Sequence, residues 1–403
     1  MAISQAEQYL NLDVSKTKIN LKTTTYSTND QIKPVKIAAF YDVHLGHHRT
    51  TSDRIIDAFD PILKDEAEFS TWDILVFPGD LFDRSLQLTN PYLGKIFLFF
   101  ARLLERCEKY GITILILEGT AGHDWKQSQV FKYIYDAINQ HKKLNVDVHY
   151  VDTLTIEYLP KYDITFLYVP DEWHPDVEQT YQDAITQLET RGLKQVDFCL
   201  FHGAFNYQID ANLNPKAHLE DRWCDLVKYY IFAGHVHFRS QYKNILVGGS
   251  FDRLAHGEEQ PKGWVTCEIK KTGEHEIIFH DNKLATIYKT IDIRGKTIEE
   301  ILPLIDQEAK DLPLHSNVRL FTYDRDIIND SMKTIRLKYP LVHFTIKIDQ
   351  KEKKANTLKI IQHKFETIDL NPENIQRMVA ERLDQYPSLN KERILQHLSK
   401  HLR

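Results

Sequence analysis

An α/β chain of two unequal domains is what the sequence predicts, on three observations. Short apolar runs alternate with helical stretches from residue 35 to about 278, the signature of a layered α/β structure. A second strand-helix-strand-helix-strand series follows Asp281. At 403 residues the chain also exceeds the size at which one core usually stops growing. Residues 1–34, rich in Ser, Thr, Asn and Lys and closed by Pro34, read as an N-terminal arm. The first domain, 35–281, has predicted strands at 35–41, 73–77, 112–117, 164–169, 196–201, 229–233 and 245–247. Its clearest helix, 92–110, carries Ile96, Phe99, Leu103, Leu104 and Cys107 at helical spacing, with Gly111 as a C-cap. The smaller unit, 282–350, has predicted strands at 286–293, 318–323 and 342–348 and helices at 297–310 and 326–338. In 351–403 the run Lys351-Glu352-Lys353-Lys354 reads as a solvated linker, followed by short amphipathic helices at 373–384 and 391–402, separated by Pro387.

Hydrophobic residues at 42% and charged residues at 27% exclude a collagen-like or wholly disordered chain. No apolar run is long enough to cross a bilayer and no basic segment leads into one, so neither membrane nor export is expected. Cys107, Cys199, Cys224 and Cys267 stand far apart without CxxC spacing, which predicts buried free thiols and a reducing, cytoplasmic setting. The net charge of −6 argues against polyanion binding through the overall field. Residues 351–403 differ, with 11 Lys and Arg against 7 Asp and Glu.

Five apolar runs of the first domain end in Gly beside His, Asp or both: FYDVHLG, LVFPGDLFD, ILILEGTAGHD, FCLFHG and YIFAGHVH. Ligand sites in α/β sheets lie beyond the carboxyl ends of strands, so Asp42, His44, Asp80, His123, His202, His235 and His237 can converge although they are scattered. Any one such loop is more often a hydrogen-bonded turn; five in succession are not. Carboxylates mixed with imidazoles suit Mn²⁺, Fe²⁺ or Zn²⁺ better than Mg²⁺ or Ca²⁺. The simplest partition gives Asp42, His44 and His237 to one ion, His202 and His235 to another, and Asp80 to both. Such a pair serves phosphoester hydrolysis. His123 is a candidate phosphate hydrogen-bond donor or general acid, with Asp124 orienting it. Asp83 reads as a carboxylate that fixes a ligand or caps a helix, and His47 and His48 as loop or substrate-facing groups.

The order DVHLG, GDLFD, GHD, FHG and GHVH resembles the calcineurin-like metallophosphoesterase superfamily. Leu45-Gly46, the continuation Leu81-Phe82-Asp83 and the stretch GGSFDRLAHGEEQPKGW are similar to SbcD-type nuclease subunits of DNA repair and phage recombination. The match covers about 36–266. It implies a metallophosphoesterase β-sandwich flanked by helices, a small α+β capping domain and C-terminal helices. It also implies two Mn²⁺ ions and exonuclease or endonuclease action on double-strand DNA ends. The implied partner is an SbcC-type coiled-coil ATPase, docked through 351–403, and a homodimer is implied by analogy, in bacterial or phage-infected cytoplasm. One departure stands out: the family carries Gly-Asn-His-Asp or Glu at the third motif, its Asn holding the second ion, whereas this chain has Ala121-Gly122-His123-Asp124. Thr120, a water or a backbone carbonyl is left to replace it, and unequal affinities for the two ions are expected. Arg49, Arg54, Arg84, Lys126, Arg239, Arg253 and Lys262 lie near the metal-site loops or the GGSFDR stretch as candidate backbone-phosphate contacts. The same residues also suit a phosphatase or nucleotide phosphodiesterase of this superfamily, or an assembly subunit of impaired activity.

Overall fold

The computed structural model describes residues 19–20, 33–208, 216–349 and 391–401, with helical positions 376, 379, 380 and 383. The fold is mixed α/β: two large mixed sheets lie between flanking helices, and a third, small sheet follows. The first sheet has the order β1 (Ile19–Asn20), β13 (His275–Asp281), β12 (Gly263–Ile269), β2 (Val35–Ala39), β3 (Ile74–Pro78), β4 (Thr113–Leu117), β5 (Val148–Val151). Strands β2 to β5 run parallel, and β12 joins β2 antiparallel. The second has the order β10 (Ser240–Tyr242), β11 (Ile245–Val247), β9 (Val227–Gly234), β8 (Val196–His202), β7 (Ile164–Val169), β6 (Thr155–Leu159), with β7, β8, β9 and β11 parallel.

The central strands are buried on both faces, as expected of parallel strands covered on each side. Their inner faces meet in one apolar layer, in which Ile37, Ile74, Val76 and Leu115 of the first sheet join Phe166, Phe198, Leu200 and Phe232 of the second. The outer face of the first sheet packs on α1 (Ser52–Lys64) and α3 (Leu93–Tyr110), with the short α2 (Glu66–Phe69) and α4 (Gln129–Asn139) completing that layer. The outer face of the second packs on α5 (Val177–Thr190) and α6 (Glu220–Cys224). The predicted helix 92–110 corresponds to α3; Gly111, at φ +67°, ends it with Ile112 N–H donating to Cys107 O at 2.9 Å. All four cysteines are buried and free.

The small sheet has the order β14 (Tyr288–Asp292), β15 (Asn317–Thr322), β16 (His343–Ile348), all parallel, with α7 (Ile298–Ala309) and α8 (Asp326–Lys338) as crossovers. Ile291, Val318, Leu320, Ile305 and Ile335 make a separate core. A Thr297/Glu300 capping box starts α7. The tail helix α9 spans Lys391–His401; most of the N-terminal arm, the 351–354 linker and most of the predicted helix 373–384 lie outside the described residues. Among those described, no helix is long and apolar enough to cross a membrane.

The second outer layer contains a titratable group. His218 is 8% exposed and packs edge-on to Phe201 and Trp223, with ring centroids 4.9 and 5.5 Å away. Burial pulls its pKa from 6.5 down to about 4 because the charged ring loses its hydration. A group depressed on folding contributes stability in full above its unfolded value and loses it as pH falls through 6.5 towards 4. Lowering the pH from 7 to 5 therefore costs the native protein roughly 2 kcal/mol through this group. In urea titrations at the two pH values, His218→Phe should remove about that share of the acid sensitivity.

Candidate metal centre

All the predicted ligand positions lie at carboxyl ends of strands near the middle of the two sheets: Asp42 and His44 after β2, Asp80 after β3, His202 ending β8, His235 and His237 after β9. The loops following β2 and β3 are zipped together, with His44 N–H donating to Asp80 O at 3.0 Å and Leu45 N–H to Leu81 O at 2.9 Å. Across the sheets, His202 Nδ1–H donates to the carbonyl of Pro78 at 2.7 Å. That bond turns the other ring nitrogen towards Asp80, whose Oδ1 is 3.3 Å from His202 Nε2.

The backbone here is unusual. Asp42 (φ +45°), His44 (+54°), Asp80 (+48°) and His235 (+93°) all occupy positive φ, a region costly to residues with a Cβ and concentrated at functional sites. It brings the side chains inward: Asp42, His44, Asp80 and His202 are buried, while His235 and His237 are half-buried at the mouth. Three trios have donor atoms within 4.8 Å of one another: a first of Asp42, His44 and His237, a second of Asp80, His202 and His235, and a third, linking them, of His44, Asp80 and His123.

These residues fit a cation. His44 Nε2 and His237 Nε2 face each other at 3.2 Å, and Glu258 Oε1 accepts from His237 Nδ1–H at 3.1 Å, so His237 turns a lone pair towards His44. Asp42 Oδ1 accepts from the His235 backbone N–H at 2.8 Å, while Oδ2 is buried without a partner. An orphaned carboxylate oxygen beside two apposed imidazole nitrogens is unfavourable without a positive charge between them. In the second trio, burial alone would raise the Asp80 carboxyl, yet His202, His123 and His44 hold it well below its usual range. Burial likewise opposes charge on His202, but Asp80 raises it well above 6.5. His235 is lowered by burial and by His202, which suits a neutral ligand.

His123 is not remote from the ligands. Its Nδ1–H donates to Asp80 Oδ2 at 2.8 Å, which together with the Asp80 charge raises its pKa and leaves the opposite ring nitrogen for other contacts. Asp124 does not orient it. That carboxylate is fully buried and accepts from Phe82 N–H at 2.7 Å and Gly119 N–H at 2.8 Å, so it fixes the loops that carry Asp80 and His123. Burial, Asp80 and Glu118 together push its pKa up to about 8. Asp83 caps no helix; its Oδ1 lies 3.6 Å from His44 Nδ1 and its Oδ2 pairs with Arg84. From the same loop as His123, Thr120 also reaches the second trio, its Oγ1 lying 3.3 Å from Asp80 Oδ2 and 3.4 Å from His202 Nε2.

Of the basic candidates, Arg49 and Arg84 are exposed beside the site. Lys126 pairs with Asp152 at 2.8 Å, Arg253 is half-buried with Nη1 donating to Thr286 O, and Arg54 is half-buried on α1. Two candidates do not face solvent. The Arg239 side chain is 6% exposed and bound to Asp281 at 2.6 Å; Lys262 is buried, donating to His237 O at 2.8 Å and Ser250 Oγ at 2.9 Å, and paired with Glu258. His47 is buried too, its Nδ1 accepting from Thr50 N–H at 2.9 Å, whereas His48 is exposed. Sequence reasoning missed Glu258. Burial opposes its charge, but His237 and Lys262 hold it at about 2, so it stays a carboxylate and fixes the His237 tautomer. The distinctive 248–264 stretch pointed to this region without revealing that role.

No family model and no curated protein matches the chain. Among solved structures, the crystal structure of TT1561 of Thermus thermophilus is similar at 12% identity and TM-score 0.35, covering 62% of this chain and all of that one. The glutamine-dependent NAD+ synthetase from Acinetobacter baumannii in complex with ADP is similar at 12% identity and TM-score 0.31, covering 92% of this chain and 73% of that one. At such scores neither likeness carries an argument about activity.

Proposed function

We propose that this chain is a dimetal phosphodiesterase of the calcineurin-like type, cleaving DNA as the nuclease subunit of an SbcCD-like complex. One observation carries the reading: two trios of donor atoms, Asp42/His44/His237 and Asp80/His202/His235, are joined by the 3.7 Å approach of His44 Nε2 to Asp80 Oδ2. Mn²⁺ is the proposed ion, given the carboxylate and imidazole donors. A bound pair would supply Lewis acidity at a phosphoryl oxygen and hydroxide at neutral pH. The chain's own part is to hold His123 in place. With Nδ1–H committed to Asp80, the far nitrogen of a charged His123 can hydrogen-bond a phosphate oxygen or give a proton to the leaving oxygen.

The test compares Mn²⁺-dependent hydrolysis of linear duplex DNA with that of a phosphomonoester. Preference for the duplex is expected, abolished by His235→Ala. Preference for the monoester would point to a phosphatase, and an inactive wild type to an assembly subunit. The C-terminal segment is the proposed docking element for a coiled-coil ATPase; truncation after residue 350 should abolish co-purification of that ATPase.

Thr120 supports unequal ion sites, because a neutral hydroxyl is a weaker donor than a carboxylate or imidazole. Calorimetric titration with Mn²⁺ should resolve a tight and a weak event, and two equally tight events would contradict this. Basic groups beside the site favour a polyanionic substrate. Burial and the charges of Arg319, Arg49 and Lys347 lower His256 to about 4, and no described carboxylate is within ion-pair distance of those three residues. Arg319 and Lys347 alternate with core positions on β15 and β16, so they share the sheet face opposite α7 and α8. Replacing both by Gln should weaken DNA binding uniformly across sequences and reduce the slope of log K against log salt by about 2.

A further inference from the structure

We propose that Trp125 is a stacking platform for an unpaired nucleobase beside the scissile phosphodiester, an inference that rests on the phosphodiesterase reading above. Trp125 is 60% exposed, the most exposed of the five tryptophans. It follows His123 by two residues, on the same loop. Its backbone is left-handed at φ +49°, and so is that of Lys126 at +57°. A bulky residue at positive φ is a true outlier, and two in succession persist only where surrounding structure enforces them.

That structure is present. Lys126 N–H donates to Glu118 Oε1 at 2.6 Å, Gln127 N–H to Asp124 O at 2.7 Å, and the Gln127 side chain ties the loop to Arg84 O and Leu86 N–H. Asp124, buried below, holds Phe82 and Gly119. Backbone strain and four anchoring contacts thus hold an apolar ring in water, the reverse of what stability alone would favour.

The indole is also fixed. Its Nε1–H donates to Gly122 O at 2.8 Å, so the only polar group of the ring is spent on the turn that carries His123. What the ring offers a ligand is a flat π face and no hydrogen bond. A planar ring is the ligand that matches, and in a nucleic-acid substrate the planar rings next to a phosphodiester are bases. A base stacked within a duplex has no free face, so the platform selects a splayed or single-stranded nucleotide. Stacking of this kind is indifferent to base identity.

Equilibrium binding separates this from the function it rests on. Single-stranded oligonucleotides carrying normal or abasic nucleotides are titrated without added divalent ions, so turnover does not intervene. The wild type should bind the normal strand about tenfold more tightly than the abasic one. Trp125→Ala should bind both equally at the weaker level, and Trp125→Phe should restore most of the preference. A preference that survives Trp125→Ala, or a wild type with none, overturns the proposal. So does a Trp125→Ala that binds DNA like the wild type but dissociates in sedimentation, which would make the indole a contact between copies. A base preference that depends on Trp125 in a protein unable to hydrolyse DNA would support the platform and sink only the phosphodiesterase reading.

Discussion

Asp80→Asn should abolish Mn²⁺-dependent hydrolysis by at least about a thousandfold, equivalent to roughly 4 kcal/mol of lost transition-state stabilisation. The carboxylate is buried and shared: Oδ1 lies 3.3 Å from His202 Nε2 and accepts from Thr120 N–H, while Oδ2 is 3.7 Å from His44 Nε2 and bound to His123 Nδ1. An amide of the same shape keeps the volume but removes the negative charge from the second trio and the charge that faces His44 of the first, which keeps only the Asp42 carboxylate. It also offers His123 a neutral acceptor or an N–H in place of the anion that raises its pKa. Calorimetry should therefore lose the weak Mn²⁺ event and weaken the tight one, while circular dichroism at 25 °C stays native. Removing one partner of a buried charged cluster also leaves His202 without its counter-charge, so the metal-free variant should unfold at lower urea than the wild type at pH 7. An Asn variant with undiminished hydrolysis and metal stoichiometry would refute Asp80 as the shared group.

The sequence made Asp80 visible because the signal is local: an apolar run, a glycine and a metal-binding side chain at a strand's carboxyl end. The same locality explains what stayed hidden. Strands β5, β6, β10, β12 and β13 were not legible as runs, since partly exposed positions such as Tyr150, Glu157, Gln241, Glu268 and Glu276 interrupt their apolar residues; these strands lie towards the sheet edges or pair antiparallel. Charge type says nothing of burial either. Arg239 and Lys262 look like phosphate contacts until Asp281, 42 residues away, and the backbone oxygen of His237 claim them. Thr120 illustrates a subtler limit: the sequence offers it, a water or a backbone carbonyl in place of the missing asparagine, and only the turn shows that its hydroxyl reaches Asp80 and His202. Glu258 could be suspected only from its distance in sequence to Lys262, and its bond to His237 spans 21 residues.

Gly79→Ala is expected to be among the most damaging single-methyl changes in the chain, costing on the order of 3–5 kcal/mol. Gly79 precedes Asp80 at φ +86°, and leaving that region would redirect Asp80, so the backbone cannot relax without moving the shared carboxylate. A Cβ at this position would lie 2.1 Å from His202 Nδ1 and 2.8 Å from Gly119 Cα. The first clash strikes the atom that donates to Pro78 O, and the second is with backbone, which cannot rotate away. His202 would have to turn, withdrawing Nε2 from Asp80. Stability and metal binding should therefore fall together, which distinguishes this change from a purely local one. Gly122→Ala is the control on a neighbouring loop: its Cβ would meet no heavy atom within 4 Å, and both the urea midpoint and Mn²⁺ stoichiometry should stay near wild type. If Gly79→Ala behaved like Gly122→Ala in both measurements, the packing of β3 against β8 would be looser than these distances allow, and His202 could not be the fixed ligand that the second trio requires.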